Sequence, residues 1–176
     1  MSGIVGDNVA RASGVVASAG GGGKVLQVVQ GTKTNTGSVS SASWTTISGN
    51  DKAITPTAEG SSFVVNWTVG VAGYGLTSLW LDIDGAGYNQ LTDFGGDTAG
   101  SRPRCVAYSE GNYPNLPSGT ALTTPTYSLG EVLTYQIRFI AHTSSTSYQN
   151  RGNSDGNNYY TGRTFSQIII TEIAAD

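Results

Sequence analysis

The stretch VLTYQIRFIAH, residues 132–142, is the clearest indication of the fold, because its side chains alternate in polarity. The apolar and aromatic positions are Leu133, Tyr135, Ile137, Phe139 and Ala141. The positions between them include Thr134, Gln136 and Arg138. Successive side chains of a β-strand point to opposite faces, so this period of two predicts a strand with one face in a core.

The same alternation recurs in SFVVNWTVGV, residues 62–71. It places a second apolar set on one face, namely Phe63, Val65, Trp67, Val69 and Val71. Further strands are predicted where apolar runs lie between turn residues: 24–30, 38–48, 76–91 as a hairpin with the turn DGAG, 104–108 and 165–173. Trp44 and Ile47 are expected in the core, and GNDK, residues 49–52, is expected to be a turn.

The composition agrees with an all-β protein rich in turns. The chain has 25 glycines and only 12% charged residues, and no stretch sustains the 3.6-residue period of a helix. About eight strands separated by Gly, Asn and Asp predict a jelly-roll-like β-sandwich. Three successive isoleucines, Ile168 to Ile170, indicate a strand covered on both faces, either in the sandwich interior or at a subunit contact.

Residues 1–23 differ from the rest, since they are small, weakly apolar and end in four glycines. Asp7, Asn8 and Arg11 interrupt the apolar residues, so the segment lacks the apolar run of a secretory signal, and no window is long enough to span a membrane. Two interpretations stay open, a disordered tail or an extended arm that lies on a neighbouring molecule. We expect an extended N-terminal arm over 1–23, followed by one domain over 24–176.

The charge and cysteine content exclude several kinds of site. A net charge of −3 argues against a nucleic-acid surface, and the single Cys105 excludes an internal disulfide or a multi-cysteine zinc site. DIDG, residues 82–85, resembles the start of a calcium loop, but Asp93 stands where such a loop needs glutamate. A hairpin turn explains the same residues, and we predict neither a metal nor a cofactor.

No catalytic set stands out in the sequence. His142 is the only histidine, and no nucleophile-elbow motif accompanies it, so a solvated or interface role is expected. Paired carboxylates for glycoside cleavage would have to come from the scattered acids between Asp82 and Glu110, and spacing alone does not show such a pair. We predict that the protein is not an enzyme, with a carbohydrate-active enzyme as the remaining alternative.

Tyrosines in polar regions form the candidate recognition surface. Six tyrosines lie among Asn, Ser and Gly, a mixture typical of adaptable binding loops: Tyr88, Tyr108, Tyr113, Tyr148, Tyr159 and Tyr160. The competing interpretation is that these rings fill loop bases or subunit contacts. Both interpretations stay open from sequence.

Five stretches together carry a resemblance to known proteins: MSGIVGDNVARASG (1–14), GKVLQVV (23–29), AITPTAEGSS (53–62), GDTAGSR (96–102) and IIITEI (168–173). In this order and spacing the chain resembles a β-rich domain in virion proteins of tailed phages, especially phages of aquatic bacteria. In that family the domain often ends a tail fibre behind a longer shaft, and related phages use small trimeric β proteins as capsid cement. Here only four glycines separate the N-terminal peptide from the domain, which favours the cement role.

The resemblance implies a capsid cement or decoration protein on the outer surface of the virion. Its partners would be itself, as a homotrimer, and the major capsid protein, with no nucleic acid and no membrane. The arm would anchor it to the capsid through Ile4, Val5, Val9, Arg11, Val15 and Val16. The alternative is a tail-fibre or receptor-binding tip that recognises host-surface glycan.

Overall fold

A computed structural model describes residues 23–97, 100–142, 145–156 and 162–175. In these ranges the chain forms strands throughout, with one short 3-10 helix at Thr92–Phe94. The strands are β1 (Val25–Lys33), β2 (Gly37–Val39), β3 (Thr45–Ile54), β4 (Ser62–Thr68), β5 (Val71–Gly73), β6 (Gly75–Ile83), β7 (Asn89–Gln90), β8 (Ala107–Ser109), β9 (Ser118–Thr123), β10 (Leu133–Ala141), β11 (Ser147–Gln149) and β12 (Ser166–Ile173).

The strands form two main antiparallel sheets and a small third one. A four-stranded sheet has the order β1-β12-β4-β9, and a five-stranded sheet has the order β3-β10-β6-β7 with β8 also paired to β6. The third sheet has the order β2-β11-β5. Pairing is nested, because β1 pairs with β12, β3 with β10, β4 with β9, and β6 with β7 and β8. The all-β class is confirmed, the packing of the two main sheets is consistent with a β-sandwich, and the jelly-roll type stays a prediction.

The core lies between the two main sheets and contains the alternating sets predicted from sequence. Both sets, the one on residues 62–71 and the one on β10, are buried in full. Leu79 and Leu81 of β6 and Ile168 and Ile170 of β12 complete the core. The one polar group of the β10 set is satisfied internally, because the Tyr135 hydroxyl lies 2.6 Å from Thr123 Oγ1.

The region between residues 37 and 54 differs from its prediction. The strand expected at 38–48 is divided into β2 and β3, and the GNDK sequence continues β3 where a turn was expected. Asp51 pairs with Gln136 and Lys52 with Tyr135, and the register shifts beyond this point. Pairing with the buried strand β10 therefore overrides the local turn preference at Asp51 and Lys52, whereas Gly49 and Asn50 lie at the register shift.

Two further differences concern which residues form strands. The strand expected at 62–71 stops at Thr68, and β5 begins at Val71 in a different sheet. Strand β9 was not among the predicted strands, and its Gly119 faces the indole of Trp67. A Cβ atom at Gly119 would lie 2.6 Å from Trp67 Cζ2, so glycine is required for this contact.

Glu172 is a fully buried carboxylate on β12, at the opposite end of the strand from Ser166. It accepts hydrogen bonds from Gln27, from the backbone and hydroxyl of Thr57, from the Ala58 backbone and from Ser61. Burial by itself raises the pKa of Glu172, but these donors outweigh burial and lower it below the ordinary value. The carboxylate thus holds the loop between β3 and β4 against the sheet.

Candidate functional site

The outer face of the four-stranded sheet forms a surface without charge. Three rows cross it from β1 through β12 and β4 to β9: Val28–Thr171–Val64–Leu122, Gln30–Ile169–Asn66–Thr120 and Thr32–Gln167–Thr68–Ser118. These twelve residues are called the uncharged face. They alternate with the inward positions of the same strands, so they point away from the core.

Aliphatic side chains are accessible on this face. Val28 and Leu122 are each 57% exposed, and Val64 and Ile169 are half-buried. The polar members largely bond to one another, since Thr120 donates to Asn66 Oδ1 at 2.7 Å and Gln167 donates to Thr32 Oγ1 at 3.3 Å. Three of the four side chains in the first row are aliphatic, and the polar groups of the other rows are partly hydrogen-bonded, so burying this surface costs little desolvation free energy.

The outer face of the five-stranded sheet has different chemistry. The Arg138 guanidinium carbon lies 4.7 Å from the centre of the Trp80 ring and 4.6 Å from that of Tyr88. Trp44 meets Trp80 edge to face, with ring centres 6.1 Å apart. We call Trp44, Trp80, Tyr88 and Arg138 the aromatic–arginine cluster. Trp44 was expected in the core, but it is half-buried on this outer surface, where it contacts Trp80.

The electrostatics of the cluster combine one cation with two nearby acids. Burial first, and then the negative charges of Asp51 and Asp82, raise the pKa of Tyr88, while Arg138 opposes them. The Asp82 carboxylate accepts hydrogen bonds from the backbones of Gly85 at 3.2 Å and Gly87 at 2.6 Å. The Tyr88 hydroxyl therefore stays protonated and neutral near pH 7.

An apolar cleft of about 260 Å³ lies beside the cluster on the same sheet. Its floor includes Leu76 and Ile140, which pair across β6 and β10, and Tyr108 forms part of its wall. The other lining residues are Ala42, Gly75, Pro103, Ala141 and His142. His142 is exposed at the rim of this cleft, where the sequence led us to expect a solvated or interface histidine.

The hairpin after β6 explains the calcium-like DIDG sequence. Asp84 has a φ of 50° and Gly85 a φ of 78°, which is the left-handed conformation of a tight hairpin turn. The Asp82 carboxylate accepts hydrogen bonds from the backbone N–H groups of this turn. Within the described ranges, no group of three or more His, Cys, Asp or Glu side chains is arranged to hold a metal ion.

The structure describes four of the six predicted recognition tyrosines, and two of these, Tyr88 and Tyr108, lie at the aromatic–arginine cluster and the apolar cleft. Tyr113 is 63% exposed in a loop, whereas Tyr148 lies on strand β11 with the Arg151 guanidinium 4.4 Å from its ring centre. Tyr159 and Tyr160 lie outside the described residues, as do the predicted anchoring positions of the arm: Ile4, Val5, Val9, Arg11, Val15 and Val16. The grouping of the tyrosines into one surface stays a prediction.

Sequence reasoning named Tyr88 and Tyr108 as recognition candidates but missed the two outer sheet faces as surfaces. The outward positions of β4 and β12, such as Asn66 and Ile169, could have been recognised by alternation with the core set. The aromatic–arginine cluster is harder to find, because its members come from three separate stretches of chain. Only the pairing of β6 with β10 brings Trp80 and Arg138 together.

No protein-family model matches the chain, and a search of curated proteins found no match. No helix in the described part of the chain has the length and apolar character needed to cross a membrane. The two outer faces are therefore the features from which a function can be argued.

Proposed function

We propose that this protein is a structural component of a tailed-phage virion, a cement or decoration protein on the outer surface of the capsid. The protein would act by binding, without catalysis. It would assemble with copies of itself as a homotrimer and bridge neighbouring capsomers through contact with the major capsid protein.

The uncharged face is the observation that supports this proposal. Copies of one surface meet without repulsion only when like charges are not brought together, and twelve uncharged residues satisfy this condition. Strands lie about 4.8 Å apart and same-face residues about 6.8 Å apart, so three rows on four strands cover roughly 400 Å². Standard interfaces take about 800 Å² from each partner.

The remaining contact area can come from apolar side chains near the borders of the same sheet. Val25 on β1 and Phe165, directly before β12, are 54% and 42% exposed. They would extend the uncharged face into a larger contact. The number of subunits rests on the resemblance to trimeric phage proteins, since the face itself favours association and not a particular symmetry.

The arm over residues 1–23 is assigned to capsid attachment. Its apolar positions, spaced along an extended peptide, suit a groove between subunits, and several arms on one assembly would act together through effective concentration. Deleting residues 1–23 should abolish attachment to the particle and leave unfolding of the body nearly unchanged. Full occupancy of particles by the shortened protein would contradict the anchoring role.

Particles that lack the protein test the proposed function directly. We expect them to release DNA at a lower temperature or under osmotic shock, while adsorbing to host cells at a normal rate. Normal heat resistance combined with a loss of adsorption would contradict the cement role and support the alternative.

That alternative is a tail-fibre or receptor-binding tip that recognises a host-surface glycan. It is favoured by the aromatic–arginine cluster and by the exposed Tyr113, because aromatic rings beside polar donors are common in recognition surfaces. A cement contact between copies makes no use of these groups.

A further inference from the structure

Arg138 is held by two aromatic rings and one hydrogen-bond acceptor. Trp80 and Tyr88 both stack against its guanidinium, and its Nε donates to Gln136 Oε1 at 2.7 Å. Gln136 is only 6% exposed, so this acceptor is itself fixed within the sheet. A guanidinium held this way loses little conformational freedom when it binds a ligand.

The terminal nitrogens of Arg138 are not used within the described part of the chain. The hydrogen bonds there engage only its Nε, and no described carboxylate lies within ion-pair distance of it. Asp51 and Asp82 are the acids that face the cluster, and Asp82 is already bonded to the backbones of Gly85 and Gly87. The planar pair of terminal nitrogens matches the two oxygens of a carboxylate.

The apolar cleft continues from this arginine along the same face. Arg138 and Ile140 are two positions apart on β10, which corresponds to about 6.8 Å in a strand. Leu76 and Ile140 form the floor there, and the exposed Tyr108 offers an aromatic wall with a hydroxyl that donates to Glu110 at 3.1 Å. A ligand that binds both regions needs an anionic group joined to a partly apolar body.

We propose that the aromatic–arginine cluster and the apolar cleft together bind an acidic saccharide, with its carboxylate on Arg138 and an apolar ring face in the cleft. This inference rests on the alternative function, for which it names the ligand class. It leaves the cement role untouched, because the uncharged face lies on the opposite sheet.

The test is a binding titration of the full-length protein with a matched pair of probes. One probe is an oligosaccharide that contains glucuronate, and the other is its neutral counterpart with glucose in the same position. Tryptophan fluorescence reports on the site, since Trp44 and Trp80 belong to the cluster. We expect the acidic probe to bind at least about tenfold more tightly than the neutral one.

Three variants locate the site. Arg138→Gln should weaken binding of the acidic probe at least about tenfold, and Arg138→Lys, which keeps the charge without the planar fork, should weaken it severalfold. Arg151→Gln is the matched control, because Arg151 also stacks on a tyrosine, which is Tyr148 of β11 in the small third sheet and not part of the cluster. It should leave binding unchanged.

Equal binding of the two probes to the wild-type protein would overturn the inference while leaving glycan recognition itself in place. Undiminished binding by Arg138→Gln, or tighter binding of inorganic phosphate than of the acidic saccharide, would also overturn it. Because the probe comparison uses the wild-type protein, the inference can be judged even where a variant folds poorly. Particle adsorption tests the receptor role separately.

Discussion

The two outer sheet faces share one architecture and differ in chemistry. Folding of the sandwich depends on the inward side chains, such as Ile170 on one sheet and Ile137 on the other, which are almost completely buried. The outward side chains are under no such constraint. One sheet nevertheless presents Val, Ile, Thr and Gln, while the other presents Trp80 and Arg138. This difference is the reason why we propose self-association for the first face and ligand recognition for the second.

A charge in the centre of the uncharged face tests this assignment with the largest expected effect. Ile169→Glu places a carboxylate in the middle row, where a subunit contact would bury it without a partner. We expect the subunits to dissociate, with a loss of roughly 3–5 kcal/mol in association free energy. Light scattering should then report the mass of a single chain.

Ala53→Glu is the matched control for that variant. Ala53 is exposed on β3 and pairs with Thr134, so this variant places a glutamate side chain on the five-stranded sheet instead. The oligomeric mass should stay that of the wild type. If Ala53→Glu dissociates the protein and Ile169→Glu does not, self-association belongs to the five-stranded sheet.

Neighbouring isoleucines separate folding from association. Ile170 is fully buried, so Ile170→Ala should lower the free energy of unfolding by about 2–5 kcal/mol. Ile169 points outward, and Ile169→Ala should lower the unfolding free energy of the single chain by less than about 1 kcal/mol. Urea unfolding at low protein concentration measures both. Similar losses for the two variants would mean that Ile169 is not on an outer face.

Much of the sandwich could be predicted from sequence because its central strands follow a strict period of two. Residues 132–142 and most of 62–71 carry large apolar residues on one face, and burial of that face fixes the register. The hairpin at Asp84 was also predictable, because a DG pair favours the left-handed turn that the chain adopts. In these regions the local sequence pattern and the pairing with distant strands favour the same structure.

Strand β9 and the middle of β3 could not be predicted in the same way. The inward positions of β9 include Gly119 and Ala121, which are small because Trp67 and its neighbours fill the space above them. A small residue gives no hydrophobic signal. Asp51 and Lys52 pair with Gln136 and Tyr135 of β10, which is information from distant sequence, while Gly49 and Asn50 lie at the register shift.

The candidate sites depended even more on distant pairing. Alternation shows which residues point outward, but it does not show which outward residues become neighbours. Trp80 and Arg138 are far apart in the sequence and become neighbours only through the β6–β10 register. Trp44 was expected in the core on account of its size, yet a half-buried indole also packs well on an outer sheet face.

Acid stability should depend on the sandwich interior and be independent of both faces. The pKa of Glu172 is lowered in the folded state, so its contribution is present above the unfolded pKa of about 4.3 and is lost as the pH falls through the folded value. Glu172→Gln should cost about 2 kcal/mol at pH 7 and flatten the decrease in stability below pH of about 4. Thermal unfolding across pH measures both effects. An unchanged acid profile in Glu172→Gln would show that other carboxyl groups control it.

The smallest expected effect concerns the stability that the aromatic–arginine cluster provides. Stacking on half-exposed rings contributes about 0.5–1 kcal/mol per contact, and Arg138 makes two such contacts, with Trp80 and Tyr88. Arg138→Gln should therefore lower the free energy of unfolding by about 1 kcal/mol, measured by urea denaturation, without any change in oligomeric mass. Arg151→Gln removes a single such contact and should have about half that effect. A change in oligomeric mass for Arg138→Gln alone would place a subunit contact on the outer face of the five-stranded sheet. It would contradict the proposal that the two sheets have different roles.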